Sequence, residues 1–382
     1  MVVKLLPLDE LSIYVDLTNC YKSSHFAKVL CELCCYLKNL GYPKIKTSYF
    51  KYEVLTIRNN IYLKSFLTSL SERLNFIELD EFTFEVNPKD ITPLLLGILN
   101  DFFVSRVSLD VKSFSPKFLG IMGVSNVSLK NINLAIDNIR KFNFDLNIDL
   151  NINIPYQEKR HLKLDLMSLV GCAPEHICLS EITIDESNFI SNDVFKDDVC
   201  DNSRDKAEDF WFYALDLLEA SGYINYEISN FALKGYESKH NLRYWELKPY
   251  LGVGINSVSL LSGIYRSGLK AIIRKGNNFL SGEVSFATFE ILSGLDFFVY
   301  HFMTNFGIKK GLDVSLLELK FNYEQEDFAQ FIDYLLNLNK AVVLKNNFLY
   351  LDGHERFKLD FYLRLIREYL IDTSFKVSLK FL

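Results

Sequence analysis

Nowhere does the chain of 382 residues run through the ~18 uninterrupted apolar residues that a membrane-spanning helix requires. A transmembrane segment is therefore not expected. Positive charge is not in excess either: 42 Lys and Arg face 48 Asp and Glu, a formal net charge of -6 with a pI near 5.7. Such a surface offers no basic field to hold nucleic acid. The seven cysteines fall in no paired spacing, which argues against a disulfide framework. The opening MVVKLLPLDEL meets Pro7 and Asp9 too early for a secretory signal, so the cytoplasm is the expected compartment. Internal repeats and low-complexity tracts are absent. What is present is 49% apolar composition with only eight prolines, enough to bury a large core in two or three domains.

Short apolar strands alternate with amphipathic stretches from residue 12 to about 183. The strands read as Ser12–Leu17, Ile45–Phe50, Phe82–Val86, Val104–Leu109, Leu146–Ile152 and His176–Ile182. Helical periodicity fills the gaps at Phe26–Asn39, Ile61–Leu74, Ile91–Asn100, Leu129–Phe142 and His161–Val170. Six strand–helix units predict a parallel sheet, which places its chemistry on the loops at the strands' C-terminal ends. Residues 184–207 are acidic and aperiodic and read as a surface loop before a helix at Ala207–Ala220. From Phe286 onward helical patterns dominate, with a hairpin expected at Ala341–Leu351 around Lys345-Asn346-Asn347.

Between these regions lies the densest stretch, GYINYEISNFALKGYESKHNLRYWELKPYLGVG from Gly222 to Gly254. Tyr226–Ser229 alternates as a strand, Lys234-Gly235 marks a turn, and a helix over the next segment would put His240 and Tyr244 on one face. Two readings stand on the residues alone: a buried polar turn, or a pair able to ligate a metal. Cys31, Cys34 and Cys35 sit at i, i+3 and i+4 with Ala27, Leu30 and Leu37, which predicts a buried core stripe.

The runs YEISNFA, HNLRYW and YLGVG resemble the signature of HemW-type haem chaperones, the radical-SAM branch related to oxygen-independent coproporphyrinogen III oxidase. The similarity extends over most of residues 12–370. It implies an open (β/α)6 partial barrel at 1–183, an extension at 184–280 that closes it, and a small helical, winged-helix-like domain at 281–382. It also implies haem binding at His240 and Tyr244, and S-adenosylmethionine contacts at Tyr14, Glu85 and Asp149.

The cofactor motifs themselves depart from the family. Where it places Cys-x-x-x-Cys-x-x-Cys for a 4Fe-4S cluster, this chain has Cys20, Ser24 and Ala27, a remnant with one thiolate. Where it has Gly-Gly-Gly-Thr-Pro, this chain has Lys51, Tyr52, Glu53, Val54 and Leu55. Glu85-x-Asn87-Pro88 matches; so do Arg106, Ser108, Ser113 and Phe114, but Asp110 and Lys112 replace a Gly and a Gln. Asp149, Pro155 and Gln157 match, with Asn153 in place of a Gly. His176 matches the start of the sixth strand, and on the residues alone reads as a satisfied core histidine. Lys51 and Lys112 are expected to pair with Glu53, Glu85 or Asp110. The reading is a haem-binding, chaperone-type protein that is not an enzyme, has lost cluster and S-adenosylmethionine, and hands haem to a client. The alternatives are a radical-SAM protein with altered ligation, for example Cys20 with Cys31, Cys34 and Cys35, and an interaction protein with no ligand.

Overall fold

The computed structural model describes residues 4–18, 20–54, 58–124, 126–182, 204–254, 257–265, 268–275, 288–338 and 340–380. Most of the acidic stretch 184–207 thus lies outside the described residues; the helix after it spans Arg204–Ala220. The chain forms two compact units, one of residues 1–17, 23–48 and 239–382, the other of residues 18–22 and 49–238.

In the second unit the strands Glu81–Val86, Arg106–Lys112, Asp145–Ile152 and His176–Glu181 pair in parallel in that order. The C-terminal end of strand Lys44–Tyr52 lies beside the first of them. Between successive strands the chain returns through helices Asn59–Ser71, Pro93–Asp101, Leu129–Ile139 and Lys159–Gly171. Their starts are written in the sequence. The Thr92 hydroxyl accepts from the Leu95 N–H with Pro93 at the first helical position, and Ser128 with Asn131 makes a reciprocal cap. Side chains alternate across the strands, so the helix-covered face is aromatic and the other polar. Phe50 packs against Phe66, Phe82 and Phe84 at 5.0–6.1 Å between ring centroids. The polar face carries Glu81, Thr83 and Glu85, then Arg106, Ser108 and Asp110, then Asn147 and Asp149, then His176 and Cys178. Two short antiparallel strands, Asn230–Ala232 and Ile224–Asn225, finish this edge.

In the first unit the strand Tyr250–Gly254 runs parallel to Glu10–Leu17, from Tyr250 opposite Ser12 to Gly254 opposite Asp16. The glycines of YLGVG are a steric requirement: a Cβ on Gly252 would lie 2.2 Å from the Val258 carbonyl oxygen, and one on Gly254 (φ +92°) 2.1 Å from that of Asp16. Strands Val258–Tyr265, Gly268–Lys275 and Thr288–Ile291 follow in antiparallel order. Helices Gly294–Phe306, Gln325–Asn337 and Leu359–Asp372 pack around Phe298, whose ring meets Phe302, Phe321, Phe331 and Phe375 within 6.0 Å. The predicted hairpin forms as Val342–Lys345 and Phe348–Leu351, with Asn346 and Asn347 at φ 52° and 67°, the pair of positive angles a tight two-residue turn demands.

Two local expectations fail. Tyr226–Ser229 is not a strand, because polar side chains capture its backbone groups: Asn225 Nδ2 donates to the carbonyls of Glu227 and Asn230, and the Glu227 carboxylate accepts from the Ser229 N–H. The cysteine stripe is not core either. Helix Ser23–Asn39 buries Phe26, Val29, Leu33 and Leu37, and this leaves Cys31 and Cys35 exposed and Cys34 partly so.

Candidate functional site

Helix Lys239–Trp245 carries HNLRYW in the first unit. His240 is fully buried, and both ring nitrogens are engaged: Nδ1 lies 2.8 Å from Thr47 Oγ1, and Nε2 lies 2.7 Å from the Tyr244 hydroxyl. The spacing of four residues does bring the two rings together, 4.8 Å between centroids and nearly perpendicular. Thr47 donates in turn to Ser12 Oγ at 2.9 Å, and Arg243 Nε donates to the same oxygen at 2.6 Å while its guanidinium meets Glu10 at 3.5 Å. Burial, with the Arg243 charge adding, pushes the imidazole down to about 3, so His240 is neutral. Tyr244 is partly exposed at the surface, yet its phenol is held well above its usual range by desolvation, with the phenols of Tyr250 and Tyr14 contributing. The Tyr250 ring lies 4.5 Å from that of Tyr244. Tyr14, His240 and Tyr244 are therefore gathered into one cluster.

Glu85, Asp149 and Cys20 fall in the second unit. Glu85 takes the Lys51 ammonium at 2.7 Å and the Tyr49 hydroxyl at 2.7 Å, and Lys112 meets Asp110 at 2.8 Å. Both expected lysine pairings form. Asp149 accepts from Ser108 Oγ at 3.1 Å and from Asn147 Nδ2 at 2.7 Å; burial, with Glu85 and Asp110 adding, pushes its carboxyl up to about 8. The polar face is thus neutralised from within by two ion pairs and one protonated acid. Lys112 adopts φ 65° beside a bulge in its strand, and Asn153 adopts φ 56°, a conformation asparagine tolerates where the family has glycine.

The residues at the three cluster positions do not supply the three thiolates that a 4Fe-4S cluster takes. Cys20 is buried, with its carbonyl accepting from Asn59 Nδ2 at 2.8 Å, while Ser24 and Ala27 supply no thiolate. Among the described residues no three His, Cys, Asp or Glu side chains converge so as to hold a metal ion. The segment replacing the glycine run is pinned: Tyr52 donates to Asn60 Oδ1 at 3.1 Å, its ring lies 5.7 Å from Phe84, and the Val54 N–H donates to Asp90 at 3.2 Å.

A second His–Tyr couple sits in this unit. His176 Nδ1 donates to Asn147 Oδ1 at 2.6 Å, and its Nε2 accepts from the Tyr226 hydroxyl at 2.7 Å. Tyr226 also accepts from the Ser238 N–H at 3.2 Å, and Ser238 Oγ donates to Glu81 at 2.9 Å. Both side chains are buried, so this couple is structural, and it explains the tyrosine of YEISNFA. Sequence reading missed Ser12, Thr47 and Tyr49; their one signal is a hydroxyl at an inward position of an otherwise apolar strand.

No family model matches the chain. It is 30% identical over 222 residues to the heme chaperone HemW of Lactococcus lactis, and 27% identical over 225 residues to that of Bacillus subtilis. Each alignment covers 58% of this chain and 58–59% of the relative, so the chain spans less than two thirds of the curated relatives it matches. The mitochondrial radical S-adenosyl methionine domain-containing protein 1 of Bos taurus is 25% identical over 174 residues, 46% of this chain and 39% of that protein. Among solved structures, coproporphyrinogen III oxidase (HemN) of Escherichia coli, a radical SAM enzyme, superposes with a TM-score of 0.76 over 95% of this chain and 91% of its own, at 16% identity. The chain has that α/β fold, and by sequence it is similar to the HemW heme chaperones over a little more than half its length.

Proposed function

We propose that this protein handles haem without a 4Fe-4S cluster or S-adenosylmethionine, binding ferric haem at the Tyr244–His240 couple and passing it to a client protein. The observation that carries the reading is the hydroxyl of the half-buried Tyr244 lying 2.7 Å from a neutral imidazole, in a chain whose cluster positions hold one cysteine. Tyrosinate and imidazole are both established ligands of haem iron. A rival reading draws on the same bonds. His240 is fully buried with both nitrogens engaged, as a purely structural histidine would be.

Iron, labile sulfide and haem measured on one anaerobically purified and reconstituted sample separate the possibilities. The proposal expects no sulfide, and a haem complex whose Soret band shifts in Tyr244→Phe and His240→Ala. About four irons and four sulfides per chain, lost in Cys20→Ala, would favour a working cluster. Wild-type protein that never binds haem, with either variant losing stability, would favour the structural reading.

A further inference from the structure

We propose that Cys31 and Cys35 form a surface dithiol site that binds one cuprous ion between two thiolates. The site is independent of the haem-handling reading. It starts from a residue pattern that packing leaves unexplained. Helix Ser23–Asn39 turns Phe26, Val29, Leu33 and Leu37 into the core, and Cys31 and Cys35 stand exposed on its other side. Free cysteine is among the most buried residue types, so two thiols in solvent on one helix face are not core filling.

Helical geometry makes the two thiols a pair. Residues four apart share a face with their Cβ atoms about 5–6 Å apart, close enough for both sulfurs to reach one ion. The charge of an ionised Cys35, together with a hydrogen bond between the two thiols, holds the Cys31 thiol above its usual range, so Cys31 meets a metal in its protonated form. Lys28 and Lys38 extend the same face, three residues before Cys31 and three after Cys35. Glu32, the one carboxylate of this helix, instead accepts from the Gly254 N–H at 3.2 Å.

Donor number and type select the ion. Thiolates favour soft ions, whereas magnesium and calcium take oxygen ligands and a structural zinc takes four ligands. Among the described residues no third His, Cys, Asp or Glu joins the pair in a metal-holding group, so the half-buried Cys34 stays outside it. Two thiolates alone suit a two-coordinate cuprous ion. Binding replaces two S–H bonds by two S–Cu bonds and releases two protons to solvent, and the copper stays cuprous throughout. The resulting complex carries one negative charge, which the ammonium groups of Lys28 and Lys38 offset.

The test uses the full-length protein, reduced and kept anaerobic, titrated with Cu(I) against bicinchoninate as a competing chelator. One Cu(I) per chain is expected, with X-ray absorption showing two sulfur neighbours. Cys31→Ser and Cys35→Ser should each weaken binding by at least about a hundredfold, the upper end of what loss of a merely supporting group costs, with circular dichroism unchanged. Cys34→Ser should bind as the wild type does. Because two protons leave, affinity should rise about a hundredfold on going from pH 6 to pH 7. Phenylarsine oxide, which closes on two thiols with loss of one water, should protect Cys31 and Cys35 together from alkylation. Alkylation of both thiols in the presence of the arsenical would show that they do not act as a pair. Wild-type protein that takes up no Cu(I), or Cu(I) held equally well by Cys31→Ser, overturns the site. A loss in Cys34→Ser as large as in Cys35→Ser overturns the two-thiol assignment.

Discussion

Lys51 occupies the acidic end of the second unit as a built-in ammonium, and removing it should be measurable. Its Nζ lies 2.7 Å from Glu85, with the lysine side chain 41% exposed and the glutamate 14%. A fully exposed pair contributes about 0.2–1 kcal/mol and breaking a fully buried one costs about 3–5 kcal/mol, so a half-buried pair whose glutamate keeps its Tyr49 bond should fall near 1–2 kcal/mol. Lys51→Met, which retains the apolar stem, should lower stability by that amount, read as a shift of the urea midpoint without a change of slope. A double-mutant cycle with Glu85→Gln should recover most of the loss as coupling. Lys51→Ala opens space for a soluble substitute: butylammonium should restore the midpoint, and it should fail to do so in Lys51→Ala/Glu85→Gln. A coupling below about 0.3 kcal/mol together with no response to butylammonium would refute the claim that this pair neutralises the polar face.

Three further outcomes follow from the same geometry. Asp149 is pushed up to about 8 from 3.8, so the folded state binds more protons than the unfolded between those values and stability should fall as pH rises from about 4 to about 8; Asp149→Asn should flatten that slope in pH-dependent unfolding. Tyr226→Phe leaves the His176 lone pair and the Ser238 N–H buried without their shared partner, a loss of about 2–4 kcal/mol by denaturant titration, whereas loss of less than about 0.5 kcal/mol would contradict the structural role. Gly254→Ala should not yield soluble folded protein, because its Cβ meets the backbone of Asp16 at 2.1 Å and φ is +92°; a variant with native circular dichroism would show that the two strands can separate.

The six predicted strands and the helices between them were legible because period-2 and period-3.6 patterns survive along the chain, and the ends of each predicted strand lie within three residues of the observed ones. The His240–Tyr244 contact was legible for the same reason, being a matter of helical spacing. The residues that give the contact its chemistry were not. Thr47 lies 193 positions from His240 and 35 from Ser12, and no local pattern relates such positions. The cysteine triplet misled because one helix offers two plausible apolar faces, and Phe26, Val29, Leu33 and Leu37 bury more apolar surface than thiols can. Tyr226–Ser229 misled because alternation of side chains does not reveal which side chain will capture the backbone.

The persistence of HNLRYW is weak support for haem binding unless packing and chemistry can be separated, and Trp245 shows how. The motif's last residue fills the space over Gly307 at the end of helix Gly294–Phe306, where an added Cβ would fall 2.5 Å from Trp245 Cζ3. Tryptophan at that position thus needs no ligand to explain it, and Arg243 is likewise accounted for by Ser12 and Glu10. Gly307→Ala should overpack this contact, costing about 1–3 kcal/mol, and should alter the fluorescence of Trp245, one of only two tryptophans in the chain. If the motif only packs, Gly307→Ala and Tyr244→Phe should behave alike, both read in stability and neither in haem. If Tyr244 is a ligand, the two variants should divide: Gly307→Ala should lose stability while keeping the haem spectrum, and Tyr244→Phe should keep most of its stability while losing the spectrum. Loss of the haem spectrum in Gly307→Ala with stability intact would break this division, because it would make Trp245, and not the phenol, the group on which haem depends.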